Sequence, residues 1–373
     1  MNGTIRVGNL LGIPFYVAKS WFLVLALVSW IYGSGLAAQF PSLSSSISLL
    51  LGLVTALLLF ASVLAHELGH SFVALRQGIG VKSITLFLFG GLASLEKESK
   101  TPAAAFWVAI AGPLVSLVLF KTITAINATI SIAAPFAVIL SVLAYVNLAL
   151  ALFNLIPGLP LDGGNILKAL VWKITGNPYR GIIFASRAGQ FVGWIAISTG
   201  LIPLLVSGSF ANFWNLLIGL FLLQNAGKSA QSATVQQKFQ GLTVADTVSA
   251  NSPTIHASKS IRDFADELII TSSNWHRFLV IDEQKLLIGV ISLTDLNKFP
   301  KFRWQELLVQ DLMQPVDTAV LHSNQSLLEA VNTLEQQQKS ALPVIEENGE
   351  LLGILEKAAI FNLIGFKTHA KPA

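Results

Sequence analysis

"VLAHELGHSF", Val63 to Phe72, places two histidines and a glutamate inside a run, residues 48–75, that is otherwise almost wholly apolar. About 20 apolar residues are enough for a helix to cross a bilayer, and an ionisable group within such a span costs on the order of 2.5–3.5 kcal/mol. On a helix, positions four apart share a face, so the imidazoles of His66 and His70 can grip one metal ion while Glu67 stands beside it. Zinc catalysis uses that division: neutral nitrogens as ligands, and a carboxylate outside the ligand set that takes a proton from water. The bland alternative is a pair of buried histidines in a polar helix seam. H-E-x-x-H alone does not separate the two, so the rest of the chain has to.

The 373-residue chain is 53% hydrophobic and 12% charged. A soluble domain carries about 25% charged residues, so the chain is a membrane protein with length for two or three domains. Cysteine is absent, which excludes a disulfide framework, a thiolate nucleophile and thiolate metal ligands. Residues 1–228 hold 12 Lys/Arg against 4 Asp/Glu, whereas 229–373 hold 12 against 16. A basic membrane half joined to an acidic soluble half fits positive cytosolic loops and not nucleic-acid binding.

Apolar segments near 21–38, 48–75, 104–126, 136–156, 182–206 and 211–227 predict six spans. The first exceeds the ~7–15-residue core of a signal peptide and follows a long leader, so it reads as a span. Arg6 and Lys19 precede it; Arg76, Lys82, Lys97 and Lys100 follow the second span; Lys168, Lys173 and Arg180 follow the fourth. The intervening loops carry only Lys121. Both termini are therefore expected in the cytosol. The histidines fall near the cytosolic end of span 2, and Asp162 follows span 4 on the same side, where a third metal ligand could meet them. Among residues 1–228 there is no other histidine, and the only acids are Glu67, Glu96, Glu98 and Asp162.

Residues 229–240, "SAQSATVQQKFQ", are polar, lack apolar periodicity and read as a linker. Two related units follow, at 241–300 and 303–366. Each reads as a short strand, an amphipathic helix, a β-hairpin ("FLVIDEQKLLIGVIS" and "ALPVIEENGELLGIL") and a closing helix. The expected fold class is a polytopic α-helical membrane domain, residues 1–228, with a cytosolic α+β tandem repeat.

Asp162 stands in "FNLIPGLPLDGG", with Asn154, Pro157, Pro160, Gly163 and Gly164. A helix bearing H-E-x-x-H, followed some ninety residues later by N-x-x-P-x-x-P-L-D-G-G, resembles the site-2 protease family of intramembrane zinc metalloproteases. The resemblance covers the whole membrane half, including "LFGGLASLEKES" and "AIAGPLVS". It implies that His66, His70 and Asp162 bind one zinc per chain, that Glu67 is the general base, and that the substrate is a single-span membrane protein cleaved near the cytosolic leaflet. Asp162 alone could instead cap the helix it opens. Asn154, in the motif, could hydrogen-bond substrate or a developing oxyanion, or serve as interhelical glue; Asn147, two turns away, favours glue. Gly90 and Gly91 lie where the family forms a membrane-associated β-hairpin, whose edge could pair with an unwound substrate. In "GIPFYVAKSWF", Ala18 stands where many relatives carry His, outside the zinc motifs.

The two C-terminal units resemble a pair of CBS domains, which often bind adenine nucleotides between the copies. The cue, Gly-apolar-apolar-Ser/Thr-x-x-Asp, is met at Gly289, Ser292 and Asp295; in the second unit Glu356 replaces the hydroxyl and Ala359 the Asp. This implies one competent site at most, for ATP, ADP or AMP, and a homodimer through the pair is a further expectation. Rival readings are a CBS-regulated transporter or channel, or a catalytically inactive metal-binding relative; the retained Glu67 speaks against the latter.

Overall fold

A computed structural model of the chain describes residues 4–10, 12–87, 90–249, 252–271, 275–316 and 319–363. It divides into two compact units, Met1–Thr234 and Val235–Ala373. The first opens with strands β1 (Thr4–Leu10) and β2 (Ile13–Ala18), then helices α1 (Lys19–Gln39) and α2 (Ser45–Arg76). A hairpin of β3 (Val81–Phe87) and β4 (Gly90–Leu95) precedes α3 (Pro102–Thr129), α4 (Ala134–Asn154), α5 (Asp162–Thr175), α6 (Pro178–Ser207) and α7 (Phe213–Phe239).

Local chemistry sets these boundaries. Ser44 caps α2 by accepting the Ile47 amide, Thr101 caps α3 just before Pro102, and Asn177 caps α6 just before Pro178. Gly176 and Gly208, both left-handed, end α5 and α6. Hydroxyls inside the apolar helices turn back on their own backbone: Ser29, Thr55 and Ser62 donate to the carbonyls of Leu25, Leu51 and Leu58, so each is satisfied without water.

Among the described residues, α1, α2, α3, α4 and α6 are long and apolar enough to cross a membrane. The sixth expected span, 211–227, falls on the first half of α7. That segment is helical, but Gln224, Asn225 and Lys228 cut its apolar run short. The 229–240 linker segment continues the same helix through Phe239, since Ala, Gln and Lys are good helix formers even without an apolar stripe.

The four strands form one sheet in the order β1-β2-β3-β4, antiparallel except for β2 beside β3. Its buried face (Ile13, Phe15, Val17, Ile84 and Leu86) packs on Val63, Leu64 and Leu68 of α2, the half of that helix that carries the histidines. The expected hairpin is thus one side of a larger sheet, with β4 at its edge. Its tip, Leu88 and Phe89, lies outside the described residues.

The second unit repeats one plan. Strand β5 (Thr254–His256), helix α8 (Ile261–Thr271), hairpin β6 (Arg277–Ile281) and β7 (Leu287–Ser292), and α9 (Leu293–Leu296) make one lobe. After α10 (Val309–Leu312) come β8 (Leu321–His322), α11 (Leu327–Gln336), hairpin β9 (Ala341–Ile345) and β10 (Leu351–Glu356), and α12 (Lys357–Leu363). The sheets are ordered β5-β6-β7 and β8-β9-β10, each with one parallel and one antiparallel pairing. Residues 364–366 of the second expected repeat lie outside the described residues. The lobes exchange their leading segments. Val244 is buried with Leu321, Leu327 and Leu355, while Val309 and Leu312 are buried with Ile255, Phe264 and Ile291.

Candidate active site

Helix α2 presents His66, Glu67 and His70 toward α3, β4 and the start of α5. Both histidines are buried, at 2% and 8% exposure. Each imidazole is fixed from behind by α3: His66 Nδ1 lies 2.9 Å from Ser116 Oγ, and His70 Nδ1 donates to the Val108 carbonyl at 2.7 Å. A carbonyl only accepts, so a neutral His70 carries its proton on Nδ1 and turns a lone pair on Nε2 into the site. Between these two contacts on α3 sits Gly112, where any Cβ would collide with both Nε2 atoms. Val108, Gly112 and Ser116 are spaced four apart, so one stripe of α3 orients both rings and leaves the space in front of them clear.

Asp162 reaches the same point from the loop after α4. The Leu159 amide donates to the Ala185 carbonyl of α6 at 3.0 Å, which holds that loop in place as α5 begins. Leu161, not Asp162, is the N-cap residue, and the Asp162 carboxylate turns to the histidines: Oδ2 is 3.0 Å from His66 Nε2 and 3.3 Å from His70 Nε2. The two Nε2 atoms are 3.3 Å apart. The three ligand atoms lie within 4.8 Å of one another, the one such group among the described residues. Two imidazole nitrogens and a carboxylate oxygen converge here, with the Nε2 lone pair of a neutral His70 turned inward, and a cation would complete the arrangement. The donor set suits zinc with a position left open. The residues fit the metal.

Glu67 stands beside this group and outside it. Its Oε2 accepts the Ala93 amide of β4 at 3.2 Å, and a Cβ at Gly91 would collide with its side chain. Because Ala93 directs its N–H to Glu67 and not to β3, the backbone groups of Ala93 and its alternate neighbour Gly91 face away from the sheet. Glu67 is thus set against the free edge of β4.

A cavity of about 380 Å³ opens in front, lined by His66, Glu67, His70 and Asp162 together with Gly90, Gly91 and Asn154. All but one of the candidate residues of the membrane half come together there. Asn147 does not: it donates to Ser62 Oγ of α2 at 3.0 Å and to Leu143 O, tying α4 to α2. Sequence reading missed Ser116, the Val108 carbonyl, Gly112 and the Ala93 amide. The four-residue spacing in "VAIAGPLVS" was the available signal for three of them.

In the second unit, Gly289 and Ser292 lie on β7, and Asp295 on α9. Asp295 is buried and fully engaged, accepting from the Ser292 amide at 2.9 Å, from Lys298 Nζ at 2.7 Å and from Gln314 Nε2 at 3.3 Å. Burial alone would raise its pKa, but the Lys298 ammonium and the Ser292 amide outweigh it and hold the carboxyl below its ordinary value.

The model of peptidase family M50 matches residues 54–132 and 121–196, and the CBS domain model matches 244–301 and 309–365. A Synechocystis protein, sll0528, provisionally named a zinc metalloprotease, is 54% identical over 98% of this chain and 96% of its own length. Rip3 of Mycobacterium tuberculosis, also provisionally named a zinc metalloprotease, is 33% identical over 100% of this chain and 95% of its own. The solved site-2 protease of Methanocaldococcus jannaschii matches 61% of this chain and 95% of its own at 30% identity, with a TM-score of 0.44. The family models and the two sequence relatives set aside the transporter reading, and the chain belongs to peptidase family M50, the site-2 protease type of zinc metalloprotease, with a CBS domain pair at its C-terminal end.

Proposed function

We propose that this metalloprotease is an intramembrane endopeptidase that holds one zinc on His66, His70 and Asp162 and cleaves a membrane-spanning segment of another protein near the cytosolic leaflet. The observation that carries the reading is the meeting of a three-ligand group, a carboxylate outside it and the edge of β4 in one cavity. A helical substrate hides its peptide bonds in its own hydrogen-bond ladder, so it must unwind first. The outward backbone groups of Gly91 and the carbonyl of Ala93 offer an unwound segment a strand to pair with, and Asn154 can donate to its carbonyls. Bound zinc supplies Lewis acidity to water and to the scissile carbonyl. Glu67 takes the proton from the attacking water and delivers it to the leaving amine. Ser116 and the Val108 carbonyl keep both imidazoles aimed during turnover. The test is metal analysis beside cleavage of single-span substrates. Glu67→Gln should keep about one zinc per chain and lose cleavage, whereas His66→Ala, His70→Ala or Asp162→Ala should lose both. Near-normal turnover by Glu67→Gln would show that the base is another group.

We infer further that the CBS pair answers to an adenine nucleotide held chiefly by the first repeat. Support comes from Ser292 and Asp295, which one helical turn keeps together. A nucleotide there has to take over contacts that Asp295 now gives to Lys298 and Gln314, and such an exchange gives two states for a ligand to bias. Calorimetry of the full chain with AMP or ATP, compared with Asp295→Ala, tests this. Absence of binding at millimolar nucleotide would make the repeats a docking or structural pair, through which two copies of the chain could join.

A further inference from the structure

Helix α5 carries more than Asp162 into the active-site cavity. Asn165, Lys168 and Trp172 line it as well, at offsets that keep them on one face of the helix. Lys168 Nζ pairs with Glu98 Oε2 at 2.9 Å, and the exposures are unequal: the lysine side chain is 15% exposed and the glutamate 76%. Glu98 lies three residues beyond the end of β4, so the pair joins the strand's trailing end to α5 across the cavity.

We propose that Lys168 is a specificity-determining residue that receives an acidic substrate side chain about three residues from the scissile bond, with Glu98 as its stand-in. This rests on the reading of the β4 edge as the place where substrate pairs. A strand added to that edge runs from the level of Ala93 toward Glu98, between β4 and α5. Lys168 follows Asp162 by six residues, about 9 Å along the helix at about 1.5 Å per residue. An extended chain covers that distance in roughly three residues at about 3.3 Å each. The incoming strand displaces the solvent-exposed Glu98. The ammonium of this largely buried side chain then faces the substrate without a partner, which is costly for a charge held away from bulk water. A substrate Asp or Glu at that position restores the pair; a Lys or Arg repeats the positive charge.

The experiment uses the full zinc-loaded chain in vesicles and single-span peptides that differ by one residue. Asp, Asn or Lys is placed in turn two to four positions on either side of the scissile bond, and kcat/KM is measured. At one position the wild type should prefer Asp over Lys by on the order of tenfold, because the swap compares attraction with repulsion. Lys168→Glu should invert that preference, and Lys168→Gln should flatten it, which serves if the reversal impairs folding. Glu98→Gln should speed cleavage of the acidic substrate by removing its competitor. A charge preference unchanged in Lys168→Glu and Lys168→Gln, or absent from the wild type, overturns the inference while leaving the protease reading intact. If the zinc-loaded wild type cleaves no peptide of the series, the protease reading falls and takes this one with it.

Discussion

Ser116 shows how much of the site depends on side chains that touch no substrate. A hydroxyl on the inner nitrogen of His66 holds the ring plane, and such supports are typically worth about 10–100-fold in metal affinity. Ser116→Ala should therefore lower zinc affinity by roughly that factor, with the other contacts of the site unchanged. Competition against a chromogenic chelator measures it, and an unchanged affinity would mean that the contact seen at 2.9 Å orients nothing. That His66, Glu67 and His70 share a helix face was legible from their spacing, and the meeting of Asp162 with them from the loop charges and the family motif. The Val108 carbonyl and the Ala93 amide were not, because a backbone group looks the same at every position and only the fold selects which one points inward.

At the scale of elements, β4 joins the proposed base, Glu67, to the proposed docking edge. Ala93→Pro removes the one amide that Glu67 accepts, and it does so without breaking a ladder bond, since that N–H points away from β3. Proline is tolerated on a sheet edge in this way. The variant should keep its zinc and lose on the order of tenfold or more in kcat, the scale of a mispositioned general base; unchanged turnover would detach Glu67 from the strand. The hairpins of the second unit were readable from local alternation between turn residues. The sheet of the first unit was not. Its strand β2 pairs Phe15 with Ile84 across some seventy residues, and no local pattern announces so distant a partner. Helix α7 is the least decided element: its apolar start suggests a full span, and the polar residues at 224–228 cut the apolar run short.

For the whole molecule, that helix decides on which side of the membrane the CBS pair lies. With α7 crossing, the loop charges put residues 229–373 on the side of the zinc group; without it, they fall on the opposite side. The charge pattern favours crossing, so a cysteine at Ser45 should react with an impermeant reagent in intact cells and one at Ser232 should not. The chain's lack of cysteine makes both readouts clean, and both serines are exposed. Labelling at Ser232 would leave five spans.

The exchanged leading segments of the two lobes bear on how the chain is made. Translation delivers Val244 long before Leu321 and Leu355, the side chains it is buried with, and delivers Ile255 and Phe264 before Val309 and Leu312. A nascent chain interrupted near residue 300 holds a first lobe whose core lacks its last apolar contributors and a leading segment with nothing to cover it. Each lobe's core is therefore complete only when the segment supplied from the other repeat has been made. A stop codon between the repeats removes Val309 and Leu312 from the first lobe's core and leaves Val244 without Leu321, Leu327 and Leu355, so both cores are cut by one truncation.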